Sequence, residues 1–522
     1  MPFSLLKYGL SNDYPFERDA DLPLPGDLKR HYDVVIIGGG GHGVATAYYL
    51  AKYHGITNVA ILEKGYLGGG NTARNTAVIR SNYLTSEGVK FYSESVKLFQ
   101  GLSNEFDFNI MYSSRGQLTL AHTDATVRSF RQRTEVNKHF GGRTELIDPQ
   151  QIRELVPTLN MNPADMPILA GLWHIDGATA RHDAVAWGYA KGATQRGIEL
   201  HQLTEVTAIN TSNGKVVSVD TNRGNVGCGC VVQAVAGHSS IVAGMAGFRM
   251  PLTSYPLQAM VTTPVKPFLD PLVSSSALHC YVQQTGRGEI VFGGGSDPYP
   301  LYNTRSTLEL KESLIASAIE MFPFMANFKL LRQWAGTTDM TSDYSPIMGL
   351  SPVENYYLDA GWGTWGFKAT PICGKTMAEL VASGGKVPDL IAPFSMDRFD
   401  EFRQVNEMGA TAASIRRVVM KIMPCPLNGP RNINEFVYGG EVKVMPNHRD
   451  CSDKEWAEYV FYLDNTIKVV REWWFHSASG YWFIAERHTG SDEILRTYDP
   501  SDIFTQKVVF NTAPEQGKGG GQ

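Results

Sequence analysis

The sequence predicts an α/β protein with a doubly wound parallel-sheet domain, at least one further domain, and a small α+β unit at its C-terminal end. Three observations carry this. From Tyr32 to Glu63 a short apolar strand, a glycine turn, a helical segment and a second strand follow one another, which is a βαβ unit and calls for a parallel sheet. At 522 residues the chain exceeds what one core supports, since single cores stop growing at roughly 250 to 300 residues. From Met420 the register changes, and "MKIMPCPLNGPRNINEFVYGGE" begins like an independent protein after the seam "EMGATAASIRR".

The totals exclude several classes. Lys plus Arg number 47 against 52 Asp plus Glu, a net charge of -5, and no basic stripe suits a nucleic-acid backbone or an anionic membrane. Six cysteines (Cys228, Cys230, Cys280, Cys373, Cys425 and Cys451) follow no framework spacing, which predicts free thiols and a reducing compartment. The N-terminal stretch lacks the layout of a secretory signal, so a cytoplasmic protein is expected. The most apolar run, Val34 to Ala51, is broken by Gly38 to Gly41 and His42, a poor membrane span.

In the first unit, "YDVVIIGGGGHGVATAYYLAKYHGITNVAILEKG", the strand is Val34 to Ile37 and the second strand, Val59 to Leu62, closes on Glu63. Gly38, Gly40 and Gly43 satisfy G-x-G-x-x-G. The first permits the tight turn, the second lets a diphosphate approach the backbone, and the third packs helix on strand. The helix N-terminus offers N–H groups and positive dipole to phosphates. Glu63 sits where a carboxylate accepts the ribose hydroxyls of a dinucleotide. NAD and FAD share this unit, and the unit alone does not choose between them.

The following segments do choose. "GYLGGGNTARNTAVIRSNYL", the hairpin "TEVTAINTSNGKVVSVDTNRG", "VVQAVAGHSS", "DYSPIMG" and "GWGTWGFKATP" occur in that order. Together with "TARHDAVAWGYA" they resemble the FAD-dependent amine oxidases of the D-amino acid oxidase superfamily, and among them the β subunit of heterotetrameric sarcosine oxidase, over about Tyr32 to Gly409. The resemblance implies a doubly wound, Rossmann-like FAD-binding domain interleaved with a mixed-sheet substrate domain. It implies noncovalent FAD on Gly38, Gly40, Gly43, Glu63, Lys64, Asn71, Thr72, Gly237, Gly363 and Gly366. It also implies hydride removal from the N-methyl carbon of a secondary amino acid, with formaldehyde or a folate adduct as product. Arg80 in "VIRSNY" and Lys368 in "GFKATP" match the positions that clamp the substrate carboxylate, which needs fixed cations once buried. Arg80 could instead contact the cofactor phosphate, and Lys368 could be a solvated lysine at a helix start. The helix after the "GWGTWG" turn, running to about Ala382, would point positive dipole at a reduced flavin. His279, in the strand-like "SALHCYVQQ", is the candidate for positioning or deprotonating the amine, against a plain structural histidine.

"GATARHDAVAWGYAKGATQRG" has helical composition from Asp183 to Gln195, with His182 just before it, where the dipole keeps a neutral, nucleophilic imidazole. The resemblance implies a covalent FMN on His182, with Arg181 as partner for its phosphate or ring. Composition alone would make His182 a capping or surface histidine. Two flavins imply a division of labour between oxidising the amine and passing electrons on.

From Met420 to about Tyr498 the chain resembles the δ subunit of the same complex, through "GPRNINEFVYGGE", "SDKEWAEYVFYLDN", "REWWFH" and "YWFIAERHT". That pattern supplies zinc with Cys-x-x-Cys, a histidine and a later cysteine. Here Cys425 and His476 remain, Asn428 replaces the second cysteine, and no cysteine follows the histidine. Structural zinc wants four N or S ligands, so no metal is expected, His448 and Cys451 having no matching spacing. Tethering to the first unit would make the metal staple dispensable. The aromatic load from Trp456 to Phe483 exceeds what so small a domain easily buries, so either some rings face a partner or the core is unusually dense.

The expected organisation is an N-terminal arm (1–31), FAD-binding segments near 32–110, 165–250 and 335–400, and substrate-domain segments near 111–164 and 251–334. A linker (411–419), the δ-like domain (420–500) and a tail (501–522) with a disordered end, "APEQGKGGGQ", follow. Partner α-like and γ-like subunits are implied, with NAD and tetrahydrofolate sites on the α-like chain and FMN at its contact. Two rivals are an N-methylglutamate dehydrogenase or other enzyme of the same build, and a noncatalytic assembly subunit.

Overall fold

The structure, a computed structural model, describes residues 22, 25–407, 414–415 and 421–504. Most of the expected N-terminal arm and linker, and the tail beyond 504, lie outside the described residues. The strand His31–Ile37 pairs in parallel with Val59–Leu62 on one side and Gly224–Gln233 on the other. Its last four residues are buried on both faces, as a continuous apolar run requires in the middle of a parallel sheet. Glu199–His201 and Tyr356–Ala360 extend this sheet in parallel, and the meander Val206–Ser212, Lys215–Thr221 completes its edge.

The helix Gly41–His54 covers one face, ending at Gly55 in the left-handed region (φ 66) with its N–H on Leu50 O, the usual glycine stop. It packs on the helix Gly366–Ala382, and a Cβ at Gly374 would stand 2.5 Å from Ala45 Cβ. Glycine is therefore what lets the two helices touch. The helix His182–Thr194 joins the same core through Tyr189, which donates to or accepts from Tyr49 at 3.1 Å.

The second sheet runs Leu330–Met340, Thr253–Thr262, Ile290–Ser296, Cys280–Gln284, Leu272–Ser275, Gln117–Ala121, Ala170–His174, Thr144–Ile147. Ala170–His174 pairs with both Gln117–Ala121 and Thr144–Ile147, so the substrate-domain sheet reaches past the expected boundary at 165. Leu330–Met340 likewise carries it past 334.

The C-terminal domain is a four-stranded antiparallel sheet (Phe436–Glu441, Val469–His476, Tyr481–His488, Ile494–Tyr498), a hairpin (Ile422–Cys425, Gly429–Asn432) and the helix Asp453–Phe461. Ser452 and Glu455 form a capping box at that helix, satisfying two otherwise orphaned N–H groups. Trp474 and Phe483 are buried together with Tyr299 and Leu301 of the second sheet's domain, while Trp482 is half exposed. The aromatic surplus is thus divided between a neighbour in the same chain and the outer face.

Gly43 tests the close approach of helix to turn, because a Cβ there would lie 2.0 Å from Gly38 O, a backbone atom. Gly43→Ala is expected to lower the unfolding free energy measured in urea by at least the ~1–3 kcal/mol of ordinary overpacking. Gly101→Ala, on an exposed helix face where the added methyl meets nothing within 4 Å, is expected to raise stability by up to about 1 kcal/mol.

Candidate functional site

A cavity of ≈ 580 Å³ opens between the carboxyl ends of the parallel strands and the second sheet, the usual ligand position in open α/β folds. At one end lies the glycine turn. Gly38 has φ +109, and any Cβ on it would stand 2.3 Å from Ala234 O. The Gly40 position carries no side-chain cap, and Gly41 N donates to Thr72 Oγ1 at 2.9 Å. Glu63 accepts from Gly39 N at 2.8 Å and Gly65 N at 2.7 Å, which holds its carboxylate at the cavity edge. Gly38, Gly40, Glu63, Lys64, Asn71, Thr72, Gly237, Gly363 and Gly366 all line the cavity. Gly43 does not; it is the helix-to-turn contact described above. Four of the residues that line the cavity, Arg80, Gln117, Thr337 and Thr370, each carry a buried side-chain polar atom with no hydrogen-bond partner among the described residues. A dinucleotide fits the cavity's size and its glycine cradle.

The far end carries cations. Arg80 is 2 % exposed, with Nη1 on Asn82 Oδ1 at 2.9 Å and its guanidinium 4.5 Å from the Tyr83 ring. Lys368, 5 % exposed in the first turn of Gly366–Ala382, has its Nζ 3.3 Å from Thr364 O. Neither pairs with a carboxylate among the described residues. Burial, and then the charge of Arg80, hold the Lys368 ammonium well below the usual lysine range. An arriving anion would relieve both. Behind Arg80, Arg133 donates to Asn82 O, and burial and Arg80 push its guanidinium down to about 9. The buried Glu407 accepts from Leu84 N and Thr85 N at 2.8 and 3.0 Å, pinning the chain just after the arginine.

His42, which the sequence reading used only to argue against a membrane span, joins the two ends. Its Nδ1 lies 3.1 Å from Asp359 Oδ1 and its Nε2 2.7 Å from Gly366 O. An oxygen acceptor at each nitrogen favours the imidazolium. Burial alone would lower its pKa, but Asp359 and the Gly366 carbonyl together raise it. A cation in the first turn of a helix opposes the dipole, so Asp359 is what holds it there. Asp359 also takes Trp362 Nε1–H.

Three expectations change. His279 is not in a strand: it occupies the turn before Cys280–Gln284 with left-handed backbone (φ 48), and Tyr281, not His279, lines the cavity. His182 is the first residue of its helix and Arg181 the cap position. Burial, with Arg181, lowers the His182 pKa against the pull of Asp183, so burial rather than the dipole alone keeps the ring neutral. Arg181 is exposed and pairs with Asp183 at 2.9 Å. Neither lines the main cavity.

In the C-terminal domain Cys425, Asn428 and His476 converge. Asn428 Nδ2 lies 3.4 Å from Cys425 Sγ, 3.0 Å from His476 Nδ1 and 3.0 Å from Ser479 Oγ. An amide NH2, a pure donor, thus faces the Cys425 thiol, the His476 ring and the Ser479 hydroxyl, so that Asn428 and Ser479 take two of the four corners a metal would need filled by sulfur or nitrogen. Among the described residues Cys451 and His448 join no group of three metal-ligating side chains.

Two predictions follow from these geometries. The Asn428→Cys, Ser479→Cys double variant is expected to bind one zinc per chain by elemental analysis where the unaltered chain binds none. Stoichiometric zinc in the unaltered chain would contradict this. His174 Nε2 accepts from Ser81 N at 3.2 Å, beside Arg80, and burial pushes its pKa down to about 3. The folded pKa lies below the unfolded one, so the unfolded chain binds the proton first. Stability is therefore present above about pH 6.5 and is lost as pH falls toward 3. His174→Gln should flatten that acid limb in urea titrations.

Residues 33–380 match the FAD dependent oxidoreductase family and residues 422–500 the sarcosine oxidase, delta subunit family. The chain is 46 % identical over 386 residues to sarcosine oxidase subunit beta of Rhodobacter capsulatus, covering 74 % of this chain and 93 % of that one. It is 44 % identical over 387 residues to the corresponding subunit of an Arthrobacter species, covering 74 % and 95 %. Among solved structures, L-proline dehydrogenase from P. horikoshii superposes with a TM-score of 0.68 at 30 % identity, over 72 % of this chain and 100 % of that one. The chain is a flavin-dependent oxidoreductase acting on the CH–NH bond of amino acids. It belongs to the FAD dependent oxidoreductase family, as a homologue of the sarcosine oxidase β subunit fused to a domain of the δ-subunit family.

Proposed function

We propose that this chain is the β plus δ component of a sarcosine-oxidase-like complex and oxidises the N-methyl C–N bond of sarcosine, leaving glycine. The observation that carries this reading is the pair of buried cations, Arg80 and Lys368, lining the cavity whose other end is the Gly38–Gly40 turn. A small amino acid brings the counter-charge they lack. The Arg80 fork fixes the plane of a carboxylate and Lys368 adds a compact charge, so the substituted nitrogen is directed along the cavity. When bound, FAD supplies the two-electron acceptor. Burial and Arg80 hold the Lys368 pKa below its usual range and a bound carboxylate raises it again, so affinity falls as pH rises through that lowered range. His279 does not line this cavity, and the reading rests on Arg80 and Lys368.

His182 is the proposed attachment point of a covalent FMN and Arg181 its anion partner, supported by the ring's lowered pKa and by a guanidinium paired, among the described residues, with a half-exposed Asp183. That flavin would face an α-like subunit carrying the NAD and tetrahydrofolate sites, with a γ-like chain completing the complex. The one-carbon product would be formaldehyde or methylene-tetrahydrofolate. The six free cysteines suit the cytoplasm.

Arg80→Met and Lys368→Met are each expected to lower kcat/KM for sarcosine by about 100-fold, roughly 2.7 kcal/mol, with FAD still bound. N-methylglutamate turning over faster than sarcosine, with or without oxygen, would move the reading to a dehydrogenase of that substrate. Mass analysis of the denatured complex should find one flavin attached and one released, and His182→Ala should abolish the attached one alone.

A further inference from the structure

The C-terminal domain reaches residues behind the wall of the cofactor cavity through Asn465. Asn465, between the helix Asp453–Phe461 and the strand Val469–His476, is 4 % exposed and has left-handed backbone (φ 39). Its Oδ1 accepts from Ser254 N at 2.9 Å, and its Nδ2 donates to Ser240 Oγ at 2.9 Å and Ser254 Oγ at 3.1 Å. Ser254 Oγ in turn donates to Gly237 O at 2.8 Å. The Asn465 carbonyl accepts Tyr302 Oη at 2.5 Å, and the Tyr302 ring lies 5.9 Å from that of His238.

Gly237 and His238 line the cavity. Their turn has little room to relax, since a Cβ at Gly237 would meet Thr337 O at 2.2 Å and Ala236 before it holds φ 50. Such backbone persists only where its surroundings over-determine it. Around this turn Ser239 Oγ donates to Ala236 O at 2.6 Å and Thr337 abuts Gly237, while Ser254, Ser240 and Tyr302 all hydrogen-bond to Asn465. Buried, fully satisfied networks of this kind rigidify what they touch.

We propose that Asn465 is a positioning residue of the cofactor site, and that the fused domain holds the Ala236–His238 turn against the cofactor through the relay Asn465, Ser254, Gly237. This rests on reading the cavity as the FAD site. It gives the fusion a second consequence, because a δ-type domain on the same chain keeps the turn braced at any protein concentration.

The test uses the full chain with Asn465→Ala and, in case that variant folds poorly, Ser254→Ala, which cuts the relay while leaving Asn465 in place. Tyr462→Phe is the control: it removes the bond from Tyr462 Oη to Asp400 Oδ1 (3.1 Å) elsewhere on the same interface. Amide hydrogen exchange over residues 234–241 is followed without cofactor, and FAD affinity by fluorescence titration. Both relay variants are expected to speed exchange in that segment at least tenfold and to weaken FAD binding at least tenfold, with Tyr462→Phe within twofold of the unaltered chain in both. FAD affinity within twofold in the relay variants, or equal losses in Tyr462→Phe, would overturn the inference. Failure of the unaltered chain to bind FAD would instead remove the reading of the cavity, and the exchange measurement would still decide whether Asn465 braces the turn.

Discussion

The site depends on one helix contact. Gly41–His54 and Gly366–Ala382 meet with nothing larger than hydrogen between Gly374 and Ala45, and His42, clasped between Asp359 and the Gly366 carbonyl, ties their N-terminal ends together. The first helix begins at the glycine turn and the second carries Lys368 in its first turn. Packing the two therefore sets the distance between the phosphate cradle and the cationic end before any ligand arrives. Two helix N-termini facing one cavity also make its field positive, which suits a dinucleotide and a carboxylate alike.

The same field has a cost that the surrounding chain offsets. Arg80, Arg133 and Lys368 are all nearly excluded from solvent, and burying like charges together is unfavourable without counter-charge. The chain answers locally: Glu407 caps the backbone after Arg80, the Tyr83 ring faces its guanidinium, and His174 stays neutral behind Ser81. What remains uncompensated is charge: among the described residues neither Arg80 nor Lys368 pairs with a carboxylate, and Arg80 Nη2 has no hydrogen-bond partner. Perturbed electrostatics cluster at functional sites, and unpaired cations favour an anionic ligand.

Local rules made much of this legible. Gly38 and Gly43 declare themselves because a positive φ and a backbone contact admit nothing else, and the strand and helix around them follow from apolar run and length. Arg80 and Lys368 stood out only through motif resemblance; neither periodicity nor composition distinguishes them. His279 was misplaced because "SSSALHCYVQQ" alternates like a strand and its turn contains no Gly, Asn or Pro to announce a reversal. His42 with Asp359, and Asn465 with Ser254, were missed because each pair is separated by more than two hundred residues and exists only after sheets and helices dock. The δ-type metal site shows the converse. The loss of ligands could be read from the sequence, but that an amide donor fills the space among Cys425, His476 and Ser479 could not.

The central claim is that Arg80 and Lys368 hold an amino acid's carboxylate beside a flavin seated on the Gly38 turn. Anaerobic mixing of the FAD-loaded chain with sarcosine tests it in a single turnover. The account predicts that the yellow chromophore bleaches in the unaltered protein and does so about 100-fold more slowly in Arg80→Met at the same FAD occupancy and sarcosine concentration. Equal bleaching rates in both, at equal sarcosine affinity, would contradict it.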